Sequence, residues 1–132
     1  MPVTYKIDKI NRLIRTRCYG KVTIEEVLEH FRLLGEDSGV PDQVDVLLDS
    51  SEQTSVPEKE NLRQVIEAIG KIRGRVHFGA LAIVATNTAL FGMLRMFEVF
   101  AEPYFSESCV FRSLDEAETW LASRRTTTSA AR

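Results

Sequence analysis

Three times in this chain a Thr or Ser stands three places ahead of a Glu, where a short strand-like run gives way to helical spacing. The pairs are Thr23 with Glu26, Ser55 with Glu58, and Ser113 with Glu116. In this pattern the hydroxyl and the carboxylate each take up a backbone N–H that the first helical turn leaves without a partner. Each pair therefore marks a helix start. A chain that alternates strands with helices belongs to the α/β class, because a helical crossover brings the next strand back parallel to the last.

The remaining pattern fills in the order. Residues 4–8 and 12–19 read as two strands joined by the turn Asp8-Lys9-Ile10-Asn11, a hairpin that makes the sheet mixed. Ile24, Val27, Leu28, Phe31 and Leu34 repeat at helical spacing until residues 35–41 break it. Residues 44–48 form a short apolar strand, and the polar stretch 49–54 reads as a loop. Ser55 then opens a second helix with Pro57 in its first turn, carrying Leu62, Val65, Ile66 and Ile69 on one face and ending near Gly70 or Gly74. Residues 78–85 are apolar on both parities, as expected of a strand covered on both sides. A third helix over residues 87–102 stops at Pro103, a last strand covers 109–111, and a fourth helix runs through Leu114, Ala117 and Leu121. The expected architecture is one α/β domain over residues 1–125, ordered β-β-α-β-α-β-α-β-α, with about five strands and four helices. Residues 126–132 are small and polar and are expected to form a disordered tail.

Composition excludes several classes. The chain has 132 residues, 44% hydrophobic and 27% charged, with net charge −2. That is ordinary globular composition, and it lacks the basic excess of a nucleic-acid binder. No apolar run reaches the roughly 18 residues of a membrane-spanning helix, and residues 1–11 hold no signal-peptide core, so a cytoplasmic protein without stable membrane insertion is expected. Cys18 and Cys109 read as small buried hydrophobes, a disulfide requiring that their strands be neighbours. His30 and His77 lack the spacing of a metal site, and no cofactor fingerprint or catalytic signature is present; no enzymatic activity is expected.

The element order, together with Gly20-Lys21-Val22-Thr23-Ile24-Glu25-Glu26, Val46-Leu47-Leu48-Asp49, Gly92-Met93-Leu94-Arg95-Met96-Phe97, the ending Val110-Phe111-Arg112-Ser113-Leu114-Asp115-Glu116-Ala117 and the closing Trp120-Leu121, resembles the SpoIIAA-like family, a bacterial branch of the STAS-like fold. The resemblance covers roughly residues 3–124. It implies a small, non-enzymatic regulatory or ligand-binding module in a fold class that includes anti-anti-sigma factors, transporter cytoplasmic domains and, more distantly, CRAL-TRIO lipid carriers. Asp49-Ser50-Ser51 is similar to the Asp-Ser-Ser of anti-anti-sigma factors, in which a serine at a helix N-terminus is phosphorylated, so Ser50 or Ser51 becomes the site of an alternative phospho-switch. Here Asp49 follows Leu48 directly, and Glu52-Gln53-Thr54 replaces the glycine-rich helix start of those proteins. The same residues also read as a polar loop satisfying its own backbone donors.

The third helix differs from the others. It has no carboxylate in its first turn, so Thr86 or Asn87 can cap it while leaving N–H groups for an anionic or polar ligand. It follows a buried strand, and ligands of open α/β sheets collect at the carboxyl ends of strands. The expected site for a small, partly apolar, anionic or lipid-like ligand, or a protein partner, is therefore Asp49, Ser50, Thr86, Asn87, Phe91 and Arg95. Water and packing alone would explain the same features. The helix is also apolar nearly all round, and Phe91, Met93, Met96, Phe97 and Phe100 are expected to lie at a homodimer interface unless residues 103–108 fold over them. Finally, Lys6, Lys9, Arg12, Arg15, Arg17 and Lys21 face only Asp8 in the first 21 residues. A basic strand face of this kind suits acidic partners or lipid headgroups, or keeps an edge hairpin from pairing with another sheet.

Overall fold

A computed structural model describes residues 2–130, with side chains through residue 124. The expected tail at 126–132 lies outside the residues described in full. The elements are β1 (Val3–Asp8), β2 (Leu13–Gly20), α1 (Ile24–Glu36), β3 (Gln43–Gln53), α2 (Lys59–Ile72), β4 (His77–Val84), α3 (Thr88–Ala101), a short 3-10 turn (Glu102–Tyr104), β5 (Glu107–Phe111) and α4 (Leu114–Ala130). The five-stranded sheet has the order β1-β2-β3-β4-β5, with β1 antiparallel to β2 and all later neighbours parallel.

That order decides where the helices go. Each of the three crossovers from β2 to β5 moves one strand in the same direction, and parallel crossovers are right-handed. The helices α1, α2 and α3 therefore share one face, and α4 alone covers the other. Strand parity follows suit. Ile14, Leu81, Ile83 and Val110 point to the three-helix face, while Leu13, Leu47, Ala80, Ala82 and Val84 pack with Ala117 and Leu121 of α4. Two layers of helix on β4 explain why its residues 80–84 are buried on both parities.

Capping proceeds as the sequence indicates at two of the three sites. The Thr23 hydroxyl accepts from the Glu26 N–H while the Glu26 carboxylate accepts from the Thr23 N–H, and the Ser113 hydroxyl accepts from the Glu116 N–H. The middle site is a correction. Helix α2 starts after Glu58, whose N–H donates to the Asn61 side chain at 3.0 Å, so Pro57 precedes the helix. Ser55 instead ties two loops together: its hydroxyl accepts from the Val22 N–H at 2.9 Å and donates to the Val22 carbonyl at 3.2 Å. Gly20, with φ of +64°, turns the chain out of β2 into this junction, a conformation that suits glycine.

A second correction concerns residues 49–53, which continue β3 and do not form a loop. Their pairing with Arg17, Tyr19 and Gly20 of β2 supplies the backbone partners that a polar stretch would otherwise seek in its own side chains. The cysteines lie in β2 and β5, with β3 and β4 between them, and both are free. The basic face of the hairpin meets acids from its own chain: Arg15 pairs with Glu118 of α4, and Arg17 pairs with Glu52 while its guanidinium lies 4.9 Å from the Tyr19 ring centroid.

The register shift between β3 and β4 rests on a small device. Asp45 Oδ1 accepts from the Ala80 N–H at 2.8 Å, replacing a ladder bond where the pairing slips. An added Cβ on Gly79 would overlap that same oxygen. Gly79→Ala is expected to cost about 1–2 kcal/mol by displacing the carboxylate from its donor. In a double-mutant cycle with Asp45→Ala, urea unfolding should give less than the sum of the two single effects. Strict additivity would show that the contact carries no such role.

Candidate functional site

Between α1, α2, α3 and the inner face of β2, β3 and β4 the chain leaves a cavity of about 390 Å³. Well-packed cores hold few voids larger than a water molecule, and ligand pockets run from roughly 300 to 1,000 Å³. The walls are mostly apolar. Leu48, Val65, Ile69, Leu81, Leu94 and Phe97 are among the residues that form them. Lys21, Val22 and Thr23 from the β2–α1 loop and Ser55, Val56, Pro57 and Glu58 from the β3–α2 loop line the end nearest the carboxyl edge of the parallel strands. The Ser55 link to Val22 holds these two loops together.

Four buried, uncharged polar side chains interrupt the apolar wall, with half-buried Gln53 and Asn61 joining the polar residues at the loop end. Thr16 and Cys18 alternate with outward-facing Arg15 and Arg17 on β2, Ser50 lies beside them on β3, and His30 comes from α1. Burial pushes the Cys18 thiol up to about 11, with an opposing hydrogen bond to Ser50, and pulls the His30 imidazole down to about 4. Both are therefore neutral near pH 7. The His30 ring sits edge-on between Tyr5 and Phe31, at centroid distances of 5.3 and 5.0 Å. Thr16 is 5% exposed, and its hydroxyl oxygen has no hydrogen-bond partner.

Of the six residues expected to form a site, this cavity contains Ser50 alone. Strand alternation sends Asp49 to the opposite face of the sheet, beside Arg17, where its carboxylate accepts from the Ser51 N–H at 3.0 Å. Thr86 donates to the Ser51 carbonyl at 3.0 Å, which joins the start of α3 to the end of β3. Asn87 caps α3 by accepting from the Leu90 N–H at 3.0 Å. Phe91 lies under the Arg112 guanidinium, 4.2 Å from ring centroid to Cζ, and Arg95 pairs with Glu98 at 3.4 Å. Ser50 is 2% exposed in mid-strand, and Ser51 follows it on the same strand, so neither serine stands at a helix N-terminus.

The five residues expected at a dimer interface are also divided. Phe97 is 5% exposed in the main core cluster and lines the cavity; Phe91, Met93 and Phe100 are half-buried; Met96 is exposed, with Val99 one turn-step away at 63%. Among the described residues no group of three or more His, Cys, Asp and Glu side chains is placed to hold a metal ion, and no helix is long and apolar enough to cross a membrane.

The cavity residues that the sequence reading passed over left a signal. Thr16 shares its parity with Ile14 and Cys18, and His30 lies three residues from Val27 and four from Leu34, on the apolar stripe of α1. Polar groups on inward-facing positions are the informative kind. What remained hidden was that the helices stand far enough from the sheet to leave space in front of them.

No family model matches this chain, and no curated protein matches it. Among solved structures, it is similar to an uncharacterized protein of the DUF3478 family, with a SpoIIAA-like fold, from Shewanella loihica PV-4. The two share 18% sequence identity with a TM-score of 0.61, over 90% of this chain and 91% of that one. The strand order, the three helices on one face and this likeness agree: the chain has the SpoIIAA-like fold.

Proposed function

We propose that this protein is a non-catalytic binding module that takes a small, largely apolar ligand into the cavity between α1, α2, α3 and the sheet. The observation that carries the reading is the cavity itself: about 390 Å³, walled mainly by aliphatic and aromatic side chains, on the inner sheet face with one end at the carboxyl ends of parallel strands. A core of this length has enough apolar residues to close such a space, so leaving it open calls for an occupant. The non-catalytic part is supported by burial, which makes the His30 imidazole a weak base and keeps the Cys18 thiol from ionising near pH 7. The His30 ring packs between those of Tyr5 and Phe31, an aromatic setting and not the orienting contacts of an activated nucleophile pair. A phosphoryl group on Ser50 would have to enter a mid-strand position that is 2% exposed, which disfavours the phospho-switch.

Titration with N-phenyl-1-naphthylamine, an uncharged dye that brightens in apolar surroundings, tests the reading. Saturable enhancement with one site per chain is expected. Val65→Trp, which places a large ring into the cavity from α2, should abolish it while the circular dichroism spectrum stays native. A dye response that is absent, or indifferent to Val65→Trp, would remove the cavity as a binding site.

A further inference from the structure

The cavity is not uniformly greasy, and the placement of its polar groups says something about the occupant. Along β2 the inward residues run Ile14, Thr16, Cys18 toward the loop end, so Thr16 sits behind Cys18, away from the loops. Its hydroxyl oxygen is out of reach of water and bonds to nothing. A buried hydroxyl without a partner costs about 1–3 kcal/mol relative to a paired one. A χ1 turn of about 120° can carry the threonine hydroxyl into the staggered well the methyl now fills, the methyl moving to the third, so a group entering the cavity can collect this bond. Leu48 pairs with Thr16 on the neighbouring strand, and Ser50, 2% exposed, lies diagonal to Thr16, one inward position nearer the loops and in hydrogen-bond contact with Cys18.

Charge is distributed the other way. The charged residues that line the cavity, Lys21 and Glu58, are both exposed and belong to the β2–α1 and β3–α2 loops. Around Thr16 and Ser50 the polar neighbours are a thiol and an imidazole, neither ionised near neutral pH. A carboxylate, phosphate or ammonium drawn to that depth would lose its hydration and meet no opposite charge. A hydroxyl or carbonyl would lose far less and gain the waiting donor.

We infer that Thr16 and Ser50 receive the uncharged polar end of the ligand, a hydroxyl or carbonyl, and that an aliphatic or aromatic body fills the rest of the cavity. The inference rests on the proposed occupancy of this cavity and narrows it to neutral amphiphiles. Size narrows it further. A volume of about 390 Å³ lies toward the lower end of the roughly 300–1,000 Å³ of small-molecule pockets, so the occupant is a single small molecule.

Three ten-carbon chains that differ only in their head group supply the test: 1-decanol, decanoate and decylamine, each displacing N-phenyl-1-naphthylamine from the wild-type protein at pH 7.5. Decanol should bind at least about tenfold more tightly than either charged chain. Thr16→Val, which keeps the shape and removes the hydroxyl, should weaken decanol about fivefold once displacement is corrected for the dye affinity measured on the same variant. Thr16→Ser should restore most of that loss, and Ser50→Ala provides a second variant at the same end. Decanoate or decylamine binding as well as decanol would overturn the inference, with the head group then lying at Lys21 or Glu58. So would a Thr16→Val protein that binds decanol like the wild type. If the dye itself does not bind, the occupancy of the cavity fails first, which is a separate result from a dye-binding protein that does not favour decanol.

Discussion

Phe97→Asp is expected to leave the chain unfolded at 25 °C, whereas Met96→Asp, one residue along the same helix, is expected to leave it folded. Phe97 is 5% exposed and packs in the cluster that joins α3 to β4, β5 and α2. Removing a buried phenylalanine costs about 3–5 kcal/mol before anything is put in its place. An aspartate there must either stay ionised away from water or take up a proton, which adds several kcal/mol more. A domain of this size has a total stability of roughly 5–15 kcal/mol, so the loss is comparable with the whole. Met96 is 38% exposed, and a substitution at such a position usually changes stability by less than about 1 kcal/mol. Circular dichroism, with fluorescence of Trp120 on the opposite face, reads both results. A folded Phe97→Asp protein would mean that α3 does not seat as described. The same pair of variants bears on assembly: a homodimer resting on the uncovered strip of Met96 and Val99 would fall to a monomer in sedimentation of Met96→Asp. Wild-type protein that sediments as a monomer at micromolar concentration removes that interface altogether.

Why the interface residues divide in this way shows what periodicity carries and what it omits. The spacing of Leu90, Leu94, Phe97 and Ala101 marks one buried stripe on α3, and two of the three capping pairs, the apolar β4 and the closing Pro103 place most of the elements. Those signals are local, and the fold they imply is the one observed. Residues 49–53 fail because a polar strand interior has no local signature: Asp49 faces Arg17 on one side and Ser50 the cavity on the other, and only the neighbouring strand reveals that both are paired. Ser55 fails for a related reason, since its partner is Val22, more than thirty residues away. Sequence order alone groups the candidate site around the β3 end and the α3 start. Those two ends do meet, through Thr86 and Ser51, but the open space lies on the inner sheet face, set by how far α1 and α2 stand from β2 and β3. That spacing is a property of packed pairs and is written in no single segment.

His30 carries the second large effect, and it concerns acid. In the unfolded chain a histidine titrates near 6.5; in the folded protein burial holds His30 at about 4. The folded state therefore resists a proton that the unfolded state accepts, so the contribution of His30 is complete above about pH 6.5 and is lost as the pH falls toward 4. At 1.36 kcal/mol per unit, that loss reaches about 2 kcal/mol by pH 5 and about 3 kcal/mol by pH 4. The groups packed around His30 do not titrate in this window. Its ring neighbours are Tyr5 and Phe31, the Tyr5 hydroxyl donates to Asp37 and is pushed up to about 12, and the Cys18 thiol on the cavity wall is pushed up to about 11. Hydrogen bonds hold the carboxyls of Asp8, Glu29 and Asp37 below their ordinary range, so what they contribute is present above about pH 4 and declines only below it. Urea unfolding of the wild type at pH 7.5 and at pH 5.0 should therefore differ by about 2 kcal/mol more than the same comparison for His30→Leu, which cannot titrate. Equal pH dependence in the two proteins would place the imidazole in contact with water.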